Sequence, residues 1–124
     1  MSIATDTMAD TNAPHGQHAR WTAVCKYADL LPGRGVAALL GTTQIAIFRT
    51  VGGELFALGN RDPACGAYVL SRGITGSRGG VPTVASPMYK HVYDLRSGVC
   101  LDDPTLAVPT YPVRRYRGLV WIEH

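Results

Sequence analysis

The sequence predicts a single all-β domain, and two observations carry that prediction. Apolar residues fall in short runs bounded by Gly, Pro, Asp and Ser, and no segment sustains helical spacing over three turns. Glu, Lys and Gln, the usual occupants of exposed helix faces, number two each, against eleven Val, eleven Thr, fourteen Gly and eight Pro. With 124 residues, a chain can bury roughly two-thirds of its unfolded surface, so folding requires neither a disulfide nor a metal.

The elements follow in order. Residues 1–20 contain no apolar run and are rich in Thr, Ala, Asp, Asn and His, which predicts a disordered N-terminal tail with His15 and His18 solvated. The domain is expected over 21–124. Trp21 to Tyr27 reads as a strand, and Asp29 to Gly35 as a turn-rich connection. Val36 to Leu40, Gln44 to Thr50 and Glu54 to Leu58 read as a meander, the last two joined by the hairpin pair Gly52-Gly53. Asn60 to Gly80 leaves little room for long elements. Thr83 to Ala85 is a brief strand before a loop opening at Ser86-Pro87. Val92 to Leu95 and Val99 to Leu101 flank the turn Arg96-Ser97-Gly98. Val113 to Tyr116 and Leu119 to Glu123 make a last hairpin about Arg117-Gly118.

A formal charge of +3 and a pI near 8.9 are mild, although ten of the twelve basic residues are Arg. Cys25, Cys65 and Cys100 are odd in number and widely spaced. With no secretory signal and no run near the roughly 20 apolar residues that span a bilayer, they predict a cytoplasmic protein with reduced, mostly buried thiols.

Two segments stand out together. Leu58-Gly59-Asn60-Arg61-Asp62-Pro63-Ala64 follows a strand; Ser86-Pro87-Met88-Tyr89 precedes Val92-Tyr93-Asp94-Leu95-Arg96-Ser97-Gly98. They resemble the two cluster-binding loops of the Rieske [2Fe–2S] family, which offer Cys-x-His and Cys-x-x-His so that one iron takes two thiolates and the other two imidazoles. The resemblance implies a Rieske-like domain of stacked antiparallel sheets with a small loop subdomain at the cluster-binding region. This sequence departs from the pattern at every ligand. Asp62 and Ala64 stand at the first Cys and His, and Ser86 and Tyr89 at the second pair. Ala64 has no donor atom, and Asp62 or Ser86 would offer hard oxygen in place of soft thiolate. No cofactor is therefore expected in this chain, and no metal.

From Trp21 onward the chain is similar to one cluster-free family, the small subunits of assimilatory NAD(P)H-dependent nitrite reductase. Its most specific stretches are Gly59 to Pro63, Ser71-Arg72-Gly73-Ile74 and Ser86 to Lys90. That resemblance implies a large catalytic subunit carrying FAD, a [4Fe–4S] cluster and siroheme, which reduces nitrite to ammonium in nitrate assimilation. This subunit would have no active site of its own. The alternatives are a cluster-free Rieske-like module of another oxidoreductase and a Rieske-type ferredoxin; co-purification and iron content separate them.

Other chemistry was weighed against these residues. A slipped site using Cys65 and His91 offers one Cys and one His, too few for a cluster, and a one-residue slip in an extended loop would turn the ligands away. A catalytic Cys65–His91 pair lacks an orienting third group. Arg61, Arg72, Arg78, Tyr89, Lys90 and His91 fall in or beside the two loops and are the candidates for docking the large subunit. Arg114, Arg115 and Arg117, interleaved with Tyr111 and Tyr116, support a nucleic-acid rival only weakly, because alternate residues of a strand face opposite sides; no nucleic acid and no membrane partner is expected.

Overall fold

The computed structural model describes residues 21–124; the expected tail at 1–20, with His15 and His18, lies outside them. Among the described residues there are ten strands: β1 (Trp21–Lys26), β2 (Arg34–Leu40), β3 (Thr43–Arg49), β4 (Leu55–Gly59), β5 (Ile74–Arg78), β6 (Val81–Ala85), β7 (Val92–Asp94), β8 (Thr110–Tyr111), β9 (Val113–Tyr116) and β10 (Leu119–Glu123), with 3-10 turns at Tyr27–Asp29 and Leu70–Arg72. They form three antiparallel sheets, in the orders β9-β10-β1, β2-β3-β4-β8 and β5-β6-β7.

The four-stranded sheet is the middle layer, and β3 explains why. Four consecutive residues, Ile45 to Phe48, are fully buried, so both faces of the strand are covered. Side chains alternate across a strand. Ile45 and Ile47 therefore enter one core with Tyr27, Leu30, Leu40, Ala57, Val120 and Ile122, against the β9-β10-β1 sheet. Ala46 and Phe48 enter the other with Leu58, Leu70, Val84, Tyr93, Leu95, Cys100 and Val108, against the β5-β6-β7 sheet. Gly35, opposite Phe48 in the β2–β3 register, leaves room for that ring: a Cβ there would lie 2.6 Å from it and 2.7 Å from the Ser71 carbonyl.

The meander and the last hairpin form as expected, within one or two residues at their ends. Two elements depart from the sequence reading. Ile74–Arg78, expected to be irregular, is a strand paired along its length with β6 through the Gly79-Gly80 turn. Thr110–Tyr111 adds a short edge to the middle sheet beside β4. The turn at Arg96-Ser97-Gly98 is present as bridges: Asp94 accepts from the Gly98 N–H at 2.7 Å, and Tyr93 pairs with Cys100. Of the cysteines, Cys100 is buried and Cys25 and Cys65 are only partly so; all three are free thiols.

Gly98 has φ +79°, and a Cβ on it would stand 2.1 Å from the Val108 carbonyl oxygen. Backbone strain and collision act together there, so Gly98→Ala is expected to destabilise the domain by about 2 kcal/mol or more. Thermal unfolding of the two proteins, with a fall of roughly 10 °C, checks it.

Candidate functional site

Both resemblance-defined loops leave the sheets at one end of the molecule. The first (60–73) runs from β4 to β5, and the second (86–91) from β6 to β7. Asn60, 2% exposed, organises the first. Its Oδ1 accepts the Ser71 N–H at 2.7 Å, and its Nδ2 donates to Gln44 Oε1 at 3.1 Å and the Tyr68 carbonyl at 3.3 Å. One side chain thus folds the loop back onto β3. Within it Arg61 bridges Tyr68, and the Asp62 carbonyl accepts from Gly66 at 2.7 Å, closing a tight turn over 62–66. The second loop is closed by the Ser86 N–H donating to the His91 carbonyl at 2.9 Å. Lys90 within it adopts φ +61°, a left-handed conformation that a lysine holds only under local strain.

The loops meet at Asp62. This carboxylate is fully buried and has no ion-pair partner among the described residues. Hydrogen bonds compensate it instead: Oδ1 accepts the Ala64 N–H at 2.9 Å and the Tyr93 hydroxyl at 3.1 Å, and Oδ2 accepts the Ser86 hydroxyl. An ionised carboxylate has about four lone-pair sites, so the donor set is matched to the charged form. Burial pushes the Asp62 pKa up, but the bonds from Ser86, Ala64 and Tyr93 outweigh it and hold the group below its usual 3.8. Burial and the Asp62 charge together push the Tyr93 phenol far above its usual 10.0.

This geometry decides the fate of the four ligand positions. Asp62 and Ser86, where the two thiolates would stand, touch each other, leaving no gap for a cluster. Ala64 has no donor, and the Tyr89 side chain is 66% exposed. Among the described residues no group of three or more His, Cys, Asp or Glu is placed to hold a metal ion. The residues present do not fit a [2Fe–2S] centre.

The structure corrects one premise. Residues 62–66 form a turn and not an extended run, closed by the Gly66 N–H donating to the Asp62 carbonyl at 2.7 Å. Tyr93 is the residue sequence reasoning missed; it was noted only as part of the frame, although a buried tyrosine hydroxyl calls for a partner. Of the docking candidates, Arg61, Arg72, Tyr89 and Lys90 are exposed on the loops, and His91 lies half-buried with its ring edge-on to Tyr89 at 6.5 Å. Arg78 is separate: it sits at the far end of β5, paired with Asp102 at 3.1 Å. The arginines of the last hairpin stack on their own chain, Arg115 at 3.9 Å from the Tyr27 ring (with Arg49 of β3 at 4.3 Å from the same ring), Arg114 at 4.7 Å from Trp21 and Arg117 at 5.3 Å from Tyr116. These rings are therefore covered against incoming bases.

Three outcomes follow for the buried network. Ser86→Ala leaves an Asp62 oxygen undersatisfied and is expected to cost about 1–3 kcal/mol in chemical denaturation. Because the folded Asp62 pKa is depressed, its contribution is complete above pH 3.8 and is lost as pH falls below it; Asp62→Asn should flatten that acid limb. Because the folded Tyr93 pKa is raised, its contribution is complete below pH 10.0 and is lost as pH rises above it. Tyr93→Phe should remove that alkaline loss, and an unchanged pH–stability profile would contradict the assignment.

Comparison with known proteins agrees with this architecture. Residues 20–123 match the model of the Rieske-like [2Fe-2S] domain family. The chain is 42% identical over 102 residues to the nitrite reductase (NADH) small subunit of Salmonella typhimurium, covering 82% of this chain and 94% of that one. A crystal structure described as an NADH-dependent nitrite reductase small subunit from Mycobacterium tuberculosis superposes with a TM-score of 0.82 at 46% identity, covering 86% of this chain and 96% of that chain. A further match, 42% identical over 102 residues, spans 82% of this chain and 11% of a Klebsiella oxytoca protein named nitrite reductase [NAD(P)H] large subunit. The chain therefore belongs to the Rieske-like domain family and, within it, to the small subunits of NADH-dependent nitrite reductase.

Proposed function

We propose that this chain is a redox-silent subunit, confined to the cytoplasm, that binds the large subunit of nitrite reductase through its loop end and so supports reduction of nitrite to ammonium. The FAD, [4Fe–4S] cluster and siroheme of the reaction belong to the large subunit, and electrons pass from NAD(P)H to nitrite without entering this chain. The domain division, a tail over 1–20 and a Rieske-like domain over 21–124, is part of the same reading. No helix among the described residues is long and apolar enough to cross a membrane.

The observation that carries the proposal is the direct Asp62–Ser86 hydrogen bond. A loop end whose former thiolate positions bond each other has no electron-accepting centre, yet it keeps an ordered shape. The Klebsiella match adds support, because there the equivalent segment is part of a protein that bears the large subunit's name.

The loop end presents Tyr89 and Met88 as exposed apolar anchors. Aromatic residues of this kind carry a disproportionate share of binding energy. Reconstitution of the purified large subunit with this chain should raise NADH-dependent nitrite reduction while the small subunit itself stays iron-free. Tyr89→Ala should weaken complex formation by about tenfold or more in a binding titration without lowering thermal stability. Equal activity of the large subunit with and without this chain would refute the supporting role.

A further inference from the structure

We infer that the surface receiving this loop end is acidic around an apolar centre: it offers carboxylates to Arg61, Arg72 and Lys90 and a shallow recess to Met88 and Tyr89. The inference rests on the loop-end docking proposed above and names the chemistry of the partner.

It starts from the distribution of charge. Between Asn60 and Ser77, and again between Ser86 and His91, the only acidic residue is Asp62. That carboxylate is fully buried and engaged by Ser86, Tyr93 and Ala64, so it offers nothing to a partner. The exposed charge of both loops is purely positive. Arg61, Arg72 and Lys90 are exposed, with no ion-pair partner and no aromatic ring beneath them among the described residues. The nearest acidic groups, on the His91 side, are engaged internally: Asp102 by Arg78 and the Val92 N–H, Asp103 by Thr105. By contrast, the basic residues of the last hairpin, Arg114, Arg115 and Arg117, lie over Trp21, Tyr27 and Tyr116.

The apolar centre has the same location. Tyr68, Met88 and Tyr89 are 54%, 44% and 66% exposed. The Asp62–Ser86 bond joins the two loops; Lys90 is next to Tyr89 in the second, and Arg61 bridges Tyr68 in the first. An apolar centre within a charged rim is the usual anatomy of a protein docking surface. The rim fixes register and speeds encounter with a surface of opposite sign. Lys90 adds a second indication. Glycine would hold its φ of +61° without strain, yet a cationic side chain stands there.

The test measures affinity of the full-length chain for its cognate large subunit at low and moderate salt. Arg61→Glu with Lys90→Glu should weaken binding by about tenfold or more at low salt and make the remaining affinity less salt-sensitive. Arg114→Glu with Arg115→Glu, on the last hairpin, should not. Lys90→Gly relieves the backbone, so a purely structural lysine predicts higher thermal stability and unchanged binding; the inference predicts higher stability and weaker binding. If Tyr89→Ala weakens binding while the Arg61/Lys90 reversal changes neither affinity nor salt dependence, the partner surface is not acidic, although loop-end docking stands. If neither set weakens binding, or only the Arg114/Arg115 reversal does, docking lies elsewhere and both readings fall.

Discussion

One buried carboxylate holds the functional end of this protein together. Asp62 carries no paired cation, and a charge removed from water without compensation is among the most expensive features a fold can contain. What makes it tolerable is that its donors arrive from three separate places: the turn of its own loop through Ala64, the second loop through Ser86, and β7 through Tyr93. Each bond is available only when all three segments are in register. An apolar filling of the same space would cost no desolvation, and replacing buried ion pairs by apolar groups is often neutral or stabilising. It would not, however, specify how the two loops sit against each other. In ligated Rieske domains that relation is set by shared bonds to one cluster; here hydrogen bonds to one side chain set it.

The constraint reaches back into the sheets. Tyr93 can present its hydroxyl to Asp62 because its ring is locked in the core between the middle sheet and the β5-β6-β7 sheet. Asn60 can fold the first loop because β3, buried on both faces, supplies a fixed Gln44 to bond it. Loop order is therefore inherited from the most rigid layer of the molecule. At the tip of the second loop the Tyr89 and His91 rings meet edge-on.

Much of this was legible in the sequence, and the rest was not for identifiable reasons. The meander could be read because Ile45-Ala46-Ile47-Phe48 and its neighbours are apolar and bounded by Gly-rich turns. The strand at Ile74–Arg78 could not: Ile-Thr-Gly-Ser-Arg has one apolar side chain, itself exposed, and the strand exists because β6 offers it a ladder. Thr110–Tyr111 lies between Pro109 and Pro112, where propensity argues against a strand. Asp62 and Ser86 were singled out as substituted ligands through the family resemblance, but their direct bond joins residues 24 positions apart. No local pattern encodes such a contact. The expectation of an extended loop around Cys65 fails because the Gly66 N–H closes a turn on the Asp62 carbonyl.

The four positions that the family resemblance sets against cluster ligands divide into two pairs with different surroundings. Asp62 and Ser86 are buried and polar, and both face inward; their chemistry serves cohesion. Ala64 is half-buried and offers only a methyl group, and Tyr89 is an exposed aromatic ring. A site that simply decayed after losing its metal would leave buried polar groups unpaired, since no bond would select their partners. Here every Asp62 oxygen has donors, whereas His91 Nδ1, at the end of the second loop, is buried without a partner among the described residues. Pairing is thus complete where three segments meet on one carboxylate, and that is the point that fixes how the two loops sit against each other.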